Sequence, residues 1–103
     1  MQPIKITLVM GLVESGKSRL LAMLPQKETM KFGYITLAGL KNIEIPPNIK
    51  NIILTSDFII KTYGRKQLIK VARELAKRGY YVYIHCYPSE YKWLKAVFNT
   101  KES

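Results

Sequence analysis

PIKITLVMGLVESGKSRLLAML, residues 3–24, is the stretch whose reading decides the fold. Ile4, Ile6 and Leu8 alternate before the run becomes wholly apolar at Val9 and Met10, which is the pattern of a buried strand. Gly11, Gly16, Lys17 and Ser18 follow at the G-x-x-x-x-G-K-[ST] spacing of a phosphate-binding loop. GKSRLLAML then opens a helical pattern, and Pro25 ends that helix soon after. Strand, glycine loop and helix succeed one another without a gap.

This spacing suits an anion for physical reasons. Successive backbone N–H groups can wrap a phosphate only where side chains leave room, so Gly11 and Gly16 belong at the tight turns. The helix starting near Lys17 turns its positive dipole end toward the same point. Lys17 brings a charge to the outer phosphates, and Ser18 offers a hydroxyl to Mg²⁺, an oxygen-seeking ion. The bland alternative is a glycine-containing turn capped by Ser15.

Downstream, NIILTSDF (51–58) reads as a second strand. GRKQLIKVARELAKRG (64–79) is the clearest helix, with Leu68, Val71, Ala72, Leu75 and Ala76 on one face and Gly79 at its C-terminal cap. YYVYIHCY (80–87) is aromatic and β-branched, hence a strand. After Pro88, Ser89 is placed to cap a last helix burying Tyr91, Leu94, Val97 and Phe98. FGYITLAGL (32–40) and NIEIP (42–46) are β-like and ambiguous. Apolar strands alternating with helices predict an α/β domain: three layers, about four mostly parallel strands, one domain over residues 1–103. In such a sheet ligands bind beyond the carboxyl ends of the strands, where the glycine loop begins.

Composition narrows the partners. The chain has 103 residues, 48% of them hydrophobic, and a formal net charge of +10. That excess favours polyanions, either nucleotide phosphates or nucleic acid. No run of residues approaches a membrane span and no signal-peptide pattern is seen. The single cysteine, Cys86, excludes an internal disulfide and a multi-cysteine zinc site. An intracellular, cytoplasmic setting is expected, that of a viral protein in a host cell included.

GLVESGKS carries every defining position of the Walker A motif, and here the chain resembles the P-loop NTPase superfamily. The resemblance implies binding of ATP or GTP with Mg²⁺ by Gly11, Glu14, Ser15, Gly16, Lys17, Ser18 and Arg19. That superfamily's second motif is an acid at the end of a neighbouring apolar strand. Asp57 is the sole aspartate and follows IILTS, so with Ser18 it is the candidate magnesium ligand, and with Lys17 the candidate catalytic pair; a helix or turn cap is its plain alternative. Phe58 stands where many relatives place a water-activating glutamate, which implies slow or partner-dependent turnover.

Residues 71–91, VARELAKRGYYVYIHCYPSEY, resemble the stretch of HerA/FtsK-type DNA-translocating and viral packaging ATPases that ends in a polar sensor, here His85 or Cys86. The usual Thr-Gln is missing. Thymidine kinases share an SGKS loop, but this chain has neither their zinc ribbon nor their lasso.

Lys66, Lys70, Arg73 and Lys77 recur on one side of the 64–79 helix, as a row that could follow a nucleic-acid backbone or as an ordinary solvated face. Arg65, Arg73 and Arg78 are the candidate arginine fingers. For His85 the choice is between a sensor and a half-buried structural histidine, and Cys86 reads as a small core residue. The readings left open are three: a P-loop NTPase, a basic nucleic-acid-binding module, and a small-molecule kinase. A chain this short also carries the expectation that a second copy or a partner protein completes the site.

Overall fold

The computed structural model describes residues 5–10 and 23–98. Its centre is a sheet of four strands, β1 (Ile6–Met10), β2 (Thr29–Phe32), β3 (Asn51–Thr55) and β4 (Tyr81–Cys86), in the order β1-β4-β3-β2. All three pairings are parallel. The helices are α1 (Leu37–Lys41), α2 (Ser56–Tyr63), α3 (Arg65–Lys77) and α4 (Pro88–Phe98). The expected α/β class and parallel sheet are what is observed.

Strand period explains the layering. Ile52 and Leu54, Val82 and Ile84, and Ile6 and Leu8 lie in register across three strands. They meet Leu40, Ile59, Leu68, Val71, Leu75 and Leu94 from all four helices in one core cluster. Val9 and Ile53, of opposite parity, are buried as well and stand outside that cluster. Both faces of the sheet therefore carry buried apolar side chains, as in a small three-layer α/β domain.

The helix read over 64–79 is α3. Leu68, Val71, Ala72 and Leu75 are each fully buried. Its end is a Schellman turn: Gly79 N–H donates to Ala76 O (3.0 Å) and Tyr80 N–H to Leu75 O (3.2 Å). Gly79 takes a φ of +105°, open to glycine at little cost.

Four local readings need correction. The strand expected over 51–58 stops at Thr55, and α2 begins at Ser56. β-branched Ile59 and Ile60 disguise this helix; burial of Ile59 in the core outweighs their weak propensity. The β-like segment 32–40 yields only the end of β2 and then α1, because Thr36 Oγ1 accepts the Gly39 N–H at 3.0 Å as an N-cap. In 42–46, Ile43 and Ile45 pack against the core, but the segment is not a strand. Ser89 lies inside α4 instead of capping it, since Pro88 with its fixed φ takes the first helical position. The helix expected from Lys17 lies, up to residue 22, outside the described residues. No helix among the described residues is long and apolar enough to cross a membrane.

Candidate functional site at the carboxyl edge of the sheet

Because every strand runs the same way, all four carboxyl ends share one edge. Met10 ends β1 opposite Cys86, His85 pairs with Thr55, and Phe32 pairs with Leu54. β4 lies between β1 and β3. The end of β1, which GLVESGKS follows in sequence, is thus two strands, roughly 10 Å, from that of the strand preceding Asp57.

Gly11, Glu14, Ser15, Gly16, Lys17, Ser18 and Arg19 fall outside the described residues. Asp57 does not end its strand: it is the second residue of α2, two residues beyond Thr55. Its Oδ2 is 3.5 Å from Lys61 Nζ, one helical turn along. This acid favours the positive end of α2 and remains at the carboxyl edge.

His85 is half-buried in β4, with Val9 and Thr55 as register neighbours on either side. Thr55 Oγ1 is buried with no hydrogen-bond partner among the described residues. Cys86 turns to the opposite, helix-covered face and is buried. Burial, and secondarily the Glu90 charge, push its thiol up to about 12. A thiol so protected is a core group and a poor nucleophile.

Glu90 is the residue of this edge that sequence reasoning missed. Its Oε1 accepts from Ser56 Oγ at 2.7 Å and from the Tyr87 N–H at 3.4 Å. The signal was available: a glutamate three residues after a helix's N-cap is half of a capping box. The first bond ties the start of α2 to the start of α4, and the second is a local tie at the start of α4, so both are structural.

Lys66, Lys70, Arg73 and Lys77 are all exposed on α3. Arg73 is committed elsewhere, with Nη2 donating to Val97 O at 3.4 Å and its guanidinium over the Phe98 ring. Arg65 lies 4.7 Å from the Trp93 ring centre, and Arg78 Nε bonds Glu74 Oε2 at 2.9 Å. Each arginine-finger candidate therefore has a partner within its own chain. Among the described residues no three His, Cys, Asp or Glu side chains gather as a metal site. No family model, curated protein or solved structure matches this chain.

Proposed function

We propose that the chain is a magnesium-dependent ATP- or GTP-binding P-loop protein and a slow or partner-dependent NTPase. One observation carries the reading: GLVESGKS begins directly after Met10, the last residue of β1, in an all-parallel sheet. That is the edge where such sheets hold ligands. On this reading the Gly11–Gly16 backbone cradles the phosphates, with Glu14, Ser15 and Arg19 beside it. Lys17 balances the charge that builds up on phosphoryl transfer, and Ser18 and Asp57 arrange Mg²⁺. Oxygen donors are what this ion requires. The Asp57 carboxylate, at the start of α2, and the Thr55 hydroxyl, at the end of β3 and without a hydrogen-bond partner among the described residues, offer that chemistry. Bound Mg²⁺ would supply positive charge to offset that of the phosphates.

A fluorescent ATP analogue, titrated with and without Mg²⁺, tests the proposal. Saturable binding that needs Mg²⁺ and disappears in Lys17→Ala supports it; binding untouched by that substitution refutes it. Sedimentation with nucleotide present tests whether a second copy completes the site. The exposed row of Lys66, Lys70 and Lys77 favours a second reading, a nucleic-acid-binding module in which the loop is structural. DNA binding at full strength together with failure to bind the analogue would select it. Turnover only with a nucleoside acceptor would select the kinase.

A further inference from the structure

Tyr34 and Phe58 follow the carboxyl ends of the adjacent strands β2 and β3 and stack on one another. Their ring centroids are 5.1 Å apart and their planes 19° from parallel. Both remain in solvent, Tyr34 at 62% exposure and Phe58 at 43%. Neither is a member of the core cluster. Apolar area left in water forgoes about 25 cal/mol per Å², so packing alone gives little reason to present two aromatic rings here.

The pair is nonetheless rigidly presented. Tyr34 precedes buried Ile35, and Phe58 precedes fully buried Ile59 in the first turn of α2. The backbone of each is thus anchored by a neighbour that belongs to the core. A lysine lies three residues from each ring in sequence: Lys31, exposed on β2, precedes Tyr34, and Lys61, 75% exposed on α2 although 3.5 Å from Asp57 Oδ2, follows Phe58. The whole chain carries +10.

A planar stack, open to water and bordered by cations, fits a planar ligand attached to phosphates. Bases in a duplex already stack on their neighbours, whereas those of a single strand have faces to offer. We infer that the Tyr34–Phe58 stack is a platform for a base of single-stranded nucleic acid, whose phosphates pass Lys31 and Lys61. The contact is tolerant of sequence, because every base has a π-face, and sensitive to salt, because it neutralises phosphates. It does not depend on a triphosphate in the glycine loop.

Fluorescence anisotropy with the full chain tests this, using a labelled mixed-sequence DNA of about 12 nucleotides, single-stranded or annealed. The single strand should bind more tightly than the duplex. Tyr34→Ala and Phe58→Ala should each weaken single-strand binding roughly fivefold or more, while Tyr34→Phe should restore it. Lys17→Ala should leave it unchanged. A Tyr34→Trp chain should show quenching on adding the single strand that exceeds any seen from Trp93 in the parent. Full-strength binding by the double alanine variant, preference for duplex, or quenching by mononucleotide but not by the oligonucleotide would each overturn the inference.

Discussion

Ser56 Oγ donates a 2.7 Å hydrogen bond to Glu90 Oε1, joining the first turn of α2 to the first turn of α4. The two residues follow β3 and β4, so one carboxylate fixes the spacing of neighbouring strand ends at the candidate site. Ser56 is fully buried. A hydrogen bond to a charged group contributes about 1.5–3 kcal/mol. Ser56→Ala should therefore lower unfolding free energy by about that amount in urea titrations. Glu90→Gln, which keeps an acceptor oxygen, should cost less. Equal losses for the two variants would show that charge, not acceptor geometry, makes the tie.

Cys86 gives a pH signature with a definite sign. Its thiol rises from 9.0 to about 12 through burial first and the Glu90 charge second. The folded state thus holds the proton more tightly than the unfolded state. Its contribution to stability is whole below about pH 9 and is lost as pH rises toward about 12. The slope is at most roughly 1.4 kcal/mol per pH unit. Cys86→Ala should flatten that part of the stability–pH curve relative to the parent. Iodoacetamide at neutral pH should label the native chain far more slowly than the urea-unfolded chain.

The two sides of α3 make opposite predictions. Leu68 is fully buried in the core. Leu68→Ala should cost about 2–5 kcal/mol, the transfer of the lost methyl groups plus the cavity left behind. Lys70→Ala, on the exposed side two residues further along, should stay within about 0.5 kcal/mol. Chemical denaturation of both variants reads the difference directly.

Where burial follows a regular period, the sequence was legible. Leu68, Val71, Ala72 and Leu75 announce α3, and Val82, Ile84 and Cys86 announce β4, because every inward position is apolar. The same transparency failed at Ser56–Tyr63. A helix there is made by burial of Ser56 and Ile59, with Ile60 against the core, despite local preferences that favour a strand. Glu90 had a local capping signal, but its bond across to α2 was hidden differently. Its partner Ser56 lies 34 residues away in sequence, and no local pattern encodes a bond of that separation. Tyr34 and Phe58 likewise meet only because β2 and β3 are neighbours.

Lys61 competes with any other cation for Asp57. The 3.5 Å pair joins an exposed lysine to a carboxylate at 21% exposure. Exposed i,i+4 pairs contribute only about 0.3–0.5 kcal/mol, far less than a divalent cation can supply. If Asp57 arranges Mg²⁺, releasing it from Lys61 should help: Lys61→Ala should lower the Mg²⁺ concentration that half-saturates nucleotide binding. Asp57→Asn should raise it, and neither change should move stability by more than about 1 kcal/mol. Mg²⁺ titration at fixed analogue concentration measures both. An Asp57→Asn chain with unaltered Mg²⁺ dependence would reduce Asp57 to a helix-start acid, favoured by the α2 dipole and by Lys61 alone.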